Sequence, residues 1–245
     1  MVVNELWLIR HGESIGNVAA TAAETEGREV IQLDYRDADV PLTALGEQQA
    51  DALGQWFTSQ IPPTWIWSSP YRRAEQTITS AAHRANIDVP TRVDERLRDR
   101  ELGVLDLLTS HGVDARFPEE AARRRWQGKY YYRPPGGESW ADVSLRVRSF
   151  LSEISHQPAD VSDAAEVAVI AAHDAVIMVA LSLCLGMNEQ QLLAFARRNV
   201  VANASVTRLT RDADSHQWVL AEFSGSAHLD GVGVPVTKHP GQSHE

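Results

Sequence analysis

Three short apolar runs constrain the fold of this 245-residue chain more than any other feature: Glu5 to Ile9, Thr64 to Trp67 and Glu166 to Ala172. Each has the length of a strand and too few polar positions for a surface strand, which is the pattern of a strand buried on both faces. Each stops at a polar cluster: Arg10-His11-Gly12, Ser68-Ser69-Pro70 and His173-Asp174. A helical-looking stretch follows each. Thr43 to Phe57 opens on an N-cap residue and sets Leu45, Ala52, Leu53, Trp56 and Phe57 on one face. Tyr71 to Ala85 follows Pro70 and reads as a helix opened by proline. Ser139 to Ile154 carries Trp140, Val143, Val147, Phe150, Leu151 and Ile154 as a stripe. Ala175 to Leu185 and Glu189 to Ala196 read as two helices broken at Gly186. Ser205 to Thr210 and Trp218 to Phe223 alternate like strands, with a hairpin turn at Asp212-Ala213-Asp214.

Strands alternating with helices predict an α/β fold: a three-layer α/β/α sandwich with a mostly parallel central sheet. One domain is expected over residues 1–224, with an inserted helical cap at about 104–137 and an irregular C-terminal tail at 225–245. Ligands of such sheets bind outside the carboxyl ends of the strands, where the three polar clusters fall. The 23 basic and 33 acidic residues give a net charge of −10. That balance argues against nucleic acid and anionic membranes as partners, and leaves room for a small basic pocket. Cys184 is the only cysteine and sits in an apolar helical stretch, so no disulfide or cysteine-bound metal is expected. No apolar run has the roughly 18 residues of a membrane span, and no signal-peptide pattern opens the chain. The cytoplasm is the expected compartment, and the oligomeric state is not legible.

Four constellations carry chemistry. In Arg10-His11-Gly12-Glu13-Ser14 with Asn17, a neutral imidazole nitrogen is a nucleophile toward phosphorus and arginine matches phosphoryl oxygens. Gly12 is expected to turn the chain and open backbone amides to an anion, with Ser14 and Asn17 adding neutral donors. Ser68 to Thr77 places Arg72 and Arg73 in the first turn of a helix, whose N-terminus also favours anions. His173 at a third strand end is placed to donate to a phosphoryl oxygen. In Arg96 to Gly103, Asp99 and Glu101 share a face if the segment is extended, and one of them could protonate a leaving alcohol. Each has an ordinary structural account alone: a helix cap, a solvated helix face, a packed histidine, a salt-bridged surface. Together they supply the nucleophile, cationic clamps and general acid of phosphoryl transfer. A metal site on His11 and His173 is opposed by the adjacent arginines, which repel a cation.

These residues resemble the histidine phosphatase superfamily, the phosphoglycerate-mutase-like fold. Leu8-Ile9-Arg10-His11-Gly12-Glu13-Ser14 with Asn17 is similar to its opening signature. Asp39-Val40-Pro41-Leu42-Thr43-Ala44-Leu45-Gly46 with Gln49-Ala50, the stretch from Ser68 to Thr77, and Pro135-Gly136-Gly137-Glu138-Ser139 follow in the family's order. The resemblance covers roughly residues 5–210. It implies His11 as the phosphorylated nucleophile, Arg10 and Arg73 as phosphate clamps, and His173 as a second pocket histidine. Asp99 or Glu101 is the implied acid, Asn17 a pocket contact, and Glu138 a substrate-side residue. Two departures stand out. Asp174 follows His173 where the family often has glycine, and the loop from Val18 to Val40 is longer than in compact members.

The expected function is therefore a metal-independent histidine acid phosphatase-type phosphomonoesterase without an organic cofactor, acting on a small phosphorylated metabolite or sugar phosphate. The stretch with three tyrosines and Pro-Pro-Gly-Gly-Glu-Ser looks more like the fructose-bisphosphatase branch. The basic cap sequence of a phosphoglycerate mutase is not evident. A phosphoglycerate-type mutase and a non-catalytic phosphate-binding module of the same fold are the alternatives.

Overall fold

A computed structural model describes residues 3–155 and 166–239. Among these, six strands form one sheet in the order β3-β2-β4-β1-β5-β6. They are β1 (Val3–Arg10), β2 (Trp65–Ser68), β3 (Thr91–Val93), β4 (Glu166–Ala172), β5 (Val206–Arg211) and β6 (Trp218–Gly225). β1, β2, β3 and β4 run parallel, and β5 is antiparallel to both β1 and β6. β1 and β4 are neighbours in register, Arg10 opposite Ala172, so the two histidine-bearing ends lie side by side.

Alternation along the central strands builds two cores. Leu6, Leu8, Ala168 and Ile170 face α6 (Trp140–Ile154) and α7 (Asp174–Cys184). Trp7, Ile9, Val167 and Val169 face α2 (Ala44–Phe57) and α3 (Arg72–Arg84). The layered sandwich expected from the sequence is therefore the observed one. α2 starts at the expected Thr43 cap, whose hydroxyl accepts from Gly46 N. α6 starts at a Ser139/Asp142 capping box, a device that contributes about 1 kcal/mol.

Some expectations need correcting. Pro70 does not open α3: the helix begins at Arg72 with Tyr71 as its cap. The stretch after Val18 is not all loop, because α1 spans Ile15–Thr25 before the chain turns at Gly27. The region between Gly103 and Gly137 holds α4 (Ser110–Arg116) and α5 (Pro118–Gln127) around a small core of Leu105, Leu108, Val113, Ala121 and Tyr132. Its two ends are clamped together. Gly103 has a φ of +56°, and a Cβ there would lie 2.1 Å from the Pro135 carbonyl oxygen. α8 (Glu189–Arg198) follows α7, and α9 (Ala227–Asp230) follows β6. Among the described residues no helix is long and apolar enough to cross a membrane.

Candidate active site

Arg10, His11, Arg73 and His173 are all buried at the carboxyl edge of the sheet. His11 is fixed by its backbone, with its N–H donating to Ala172 O at 3.1 Å. Its ring Nδ1 lies 2.7 Å from the Gly12 carbonyl oxygen. A carbonyl only accepts, so Nδ1 carries the hydrogen and Nε2 keeps its lone pair. Burial, then Arg73, His173 and Arg10, hold His11 well below the usual imidazole pKa, so this nitrogen stays unprotonated. The His173 ring is 5.2 Å away, and burial followed by Arg73 and Arg10 keeps it neutral too. Its Nε2 is 2.8 Å from Ser69 Oγ, which already accepts from Tyr71 N. Its Nδ1 lies 3.3 Å from Asp99 Oδ2 without the alignment of a hydrogen bond. A nearby carboxylate favours the hydrogen on Nδ1.

The arginines are held differently. Arg10 donates through Nη1 to Val201 O, and through Nη2 to His239 O at 2.8 Å. Arg73 donates through Nη1 to Asp37 O and Oδ1, at 2.6 and 2.8 Å, and through Nη2 to Asp99 Oδ2 at 3.0 Å. Five buried side-chain nitrogen or oxygen atoms lack a hydrogen-bond partner among the described residues; three of them, Arg10 Nε, His173 Nδ1 and Asp174 Oδ1, sit at these two adjacent strand ends. Two are donors on a cationic surface, an arrangement that suits an anion.

The remaining candidates divide. Asp99 touches Arg73 and approaches His173, whereas Glu101 is exposed and accepts from Tyr71 Oη at 2.8 Å. Ser14 and Asn17 form the capping box of α1, and Asn17 Oδ1 also accepts from Asn203 Nδ2 at 3.1 Å. Among the described residues the Asn17 side-chain NH2 donates to no acceptor. Glu138 accepts from Arg98, Arg146 and Glu101 N, so it braces the segment that carries Asp99. Arg72 is exposed on the first turn of α3. Gly12 serves close packing rather than an anion. Its N–H donates to Thr77 Oγ1 at 2.9 Å, and a Cβ would lie 2.6 Å from Gly46 O.

Several contributors lie outside the four constellations. Asp37 sits on Arg73, with its carboxyl raised chiefly by burial. Arg146 donates to the Arg96 and Asp99 carbonyls. Ala204, at a φ of 52°, accepts a strained conformation costing about 1–2 kcal/mol and turns its N–H to Arg10 O. The cap does bring cations together, around the run Arg123-Arg124-Arg125. Arg123 and Arg125 pair with Glu120 and Asp114, while burial and Arg100 push Arg124 down to about 10. Lys129 is lowered by burial and then by Arg124.

The tail is bound into the site. Gln49 donates to Pro235 O and Thr237 Oγ1, Asn203 N donates to Thr237 O, and His239 Nε2 lies 3.1 Å from Glu13 Oε2. A stop codon after Gly233 removes one of the two carbonyls that aim Arg10. A hydrogen bond to a charged group contributes about 1.5–3 kcal/mol, so kcat/KM is expected to fall about tenfold or more. His239→Ala keeps that carbonyl and is expected to fall less. Steady-state kinetics of the two variants check this, and equal losses would show that the side chain, not the strap, matters.

The model of the histidine phosphatase superfamily, branch 1, matches residues 6–224. The chain is 29% identical over 231 residues to a probable phosphoglycerate mutase of Yersinia enterocolitica, covering 92% of this chain and 95% of that one. It is 29% identical over 238 residues to the glucosyl-3-phosphoglycerate phosphatase of Mycobacterium tuberculosis, covering 94% and 98%. The solved structure of the mycobacterial glucosyl-3-phosphoglycerate phosphatase superposes with a TM-score of 0.72 at 29% identity, covering 91% of this chain and 99% of that one.

Proposed function

Because the chain belongs to branch 1 of the histidine phosphatase superfamily, we propose that it hydrolyses a small phosphorylated metabolite through a phosphohistidine formed on His11. The observation that carries this reading is the tautomer of His11, with Nδ1 held by Gly12 O and Nε2 left as a neutral nucleophile between Arg10, Arg73 and His173. Nε2 attacks phosphorus as the ester oxygen leaves. Arg10, Arg73 and the His173 Nδ1–H stabilise the charge on the equatorial oxygens. Asp99 passes a proton from the bound phosphate monoanion to the departing oxygen, then takes a proton from the water that cleaves the phosphohistidine. In this scheme no metal ion takes part. Arg100, Arg124 and Lys129, gathered toward the cap, suit a leaving group with a second anionic substituent. The composition, with its single cysteine, supports the cytoplasm as the compartment.

Phosphate release from a panel of sugar phosphates, phosphoglycerates, bisphosphates, nucleotides and an aryl phosphate, with chelator present, tests the proposal. Release establishes the hydrolase, and loss of release in chelator would overturn the metal-free scheme. A phosphoglycerate-type mutase is the second reading, favoured by the likeness to the Yersinia enterocolitica protein along 95% of its length. It requires transfer to a second phosphoglycerate hydroxyl faster than to water. The acid is tested separately. Asp99→Asn is expected to slow alkyl phosphates by about 10²-fold or more, and p-nitrophenyl phosphate, whose leaving group needs no proton, far less. If Glu101→Gln gives that pattern instead, the acid is Glu101.

A further inference from the structure

Asp174 is the residue of this site that phosphate chemistry leaves unused. It is the first residue of α7, directly after His173, and its Oδ1 is buried without a hydrogen-bond partner among the described residues. A backbone hydrogen bond from Val201 reaches the carboxyl, and Arg10 and Lys129 are its cationic neighbours. No ion pair to either is formed at 4 Å or less among the described residues, so the carboxyl lies between a phosphate clamp and a cap lysine without being neutralised by contact.

The three orphaned atoms at these strand ends are therefore not equivalent. Arg10 Nε and His173 Nδ1 donate, and phosphoryl oxygens match them. When ionised, Asp174 Oδ1 accepts, and so does every oxygen of a phosphate dianion; the two repel. The group that matches the ionised carboxyl must bring a hydrogen. An ammonium is disfavoured there by Arg10 and Lys129, set against the nearby Asp99 carboxylate. A hydroxyl is not, and because it both donates and accepts it fits Asp174 in either protonation state.

We propose that Asp174 is a specificity-determining residue that binds a hydroxyl of the leaving group, so that the preferred substrates are phosphate esters of polyols or sugars. This rests on the phosphomonoesterase reading above and adds the chemistry of the alcohol. The site then reads the substrate in two parts: donors for the phosphoryl group, and an acceptor for a hydroxyl near the ester oxygen. A site built to bond a hydroxyl discriminates strongly against an analogue that lacks it, because its own polar group is then left unpaired.

The test compares sn-glycerol 3-phosphate with n-propyl phosphate, which share a three-carbon chain and differ in two hydroxyls. Affinities are measured by calorimetry in the unreactive His11→Ala background, with and without Asp174→Gly, Asp174→Leu or Asp174→Asn. The parent is expected to bind the glycerol ester about tenfold or more tightly than the propyl ester. Asp174→Gly is expected to erase that ratio by weakening the glycerol ester. Asp174→Asn, which keeps an acceptor oxygen and the side-chain shape, is expected to retain most of it. Asp174→Leu, of similar bulk but with no acceptor, is expected to erase it and decides the matter if the glycine variant does not fold. A ratio unchanged in either acceptor-free variant would overturn the proposal. Equal affinities in the parent would overturn the proposal. So would Asp174→Gly tightening both esters alike, which would make Asp174 only a negative charge opposing phosphate. Phosphate release by the wild type from p-nitrophenyl phosphate reports on the hydrolase reading independently of these ratios.

Discussion

His11→Ala is expected to lower kcat/KM for every ester by on the order of 10⁴-fold or more, since loss of a covalent nucleophile removes the whole two-step route. The fold should survive. Among the described residues the imidazole's one hydrogen bond is to its neighbour's carbonyl, Gly12 O, so no distant group among them loses a partner. The variant should also resist acid better. His11 in the folded protein is held well below its ordinary 6.5. Below that pH the unfolded chain binds a proton that the folded chain refuses, so wild-type stability falls as pH drops through 6.5 and beyond. Removing the imidazole removes that contribution. Thermal melts at neutral and mildly acidic pH, with single-turnover kinetics, check both parts. Ordinary turnover in the variant would exclude the phosphohistidine, and a collapsed melt at neutral pH would make the kinetic loss uninformative about chemistry.

What the residues disclose in advance follows from how far apart in sequence the contacts lie. β4 is legible because all of its residues face protein, and an unbroken run such as Glu166–Ala172 has no other good home. α6 is legible because a capping residue precedes a clean apolar stripe. α1 is not, since Ala23 is its one buried residue and its alanines and threonines draw no stripe. β3 is equally silent, three residues long with Arg92 and Val93 exposed. The same division runs through the site. Arg10, His11, Ser69 and His173 stand at the ends of readable strands, and the fold brings them together whenever the strands pair in parallel. Asp37 reaches Arg73 across 36 positions, Asn203 reaches His11 across 192, and His239 reaches Arg10 across 229. These contacts belong to connections whose course no local pattern dictates. The tail is the clearest instance. Its Gly, Pro and His content reads as an irregular end, yet His239 is hydrogen-bonded to Glu13 of the signature segment and Thr237 to Asn203, which in turn reaches His11.

Arg73→Ala is expected to cost both catalysis and stability, and the two can be separated. Loss of one preorganised donor to a developing oxyanion is worth about 2.7–4 kcal/mol, or roughly 10²–10³ in rate. That is the catalytic part, and it should appear with every ester because the phosphoryl group is common to all. The structural part comes from what Arg73 leaves behind. Its guanidinium lies between Asp37 and Asp99, each within 3.0 Å, and is itself almost fully buried. Without it two carboxylates share a pocket with no cation between them. The side chains of Asp37 and Asp99 are 41% and 29% exposed, so water recovers much of that repulsion and the stability loss stays near 1–2 kcal/mol. Arg73→Lys retains the charge but not the fork that meets Asp37 and Asp99 simultaneously. It should therefore recover most of the melting temperature and little of the rate. If lysine restored both equally, Arg73 would act by charge alone. A rate loss below tenfold in the alanine variant would remove it from the phosphate clamp altogether, leaving Arg10 and His173 to stabilise the transferring group.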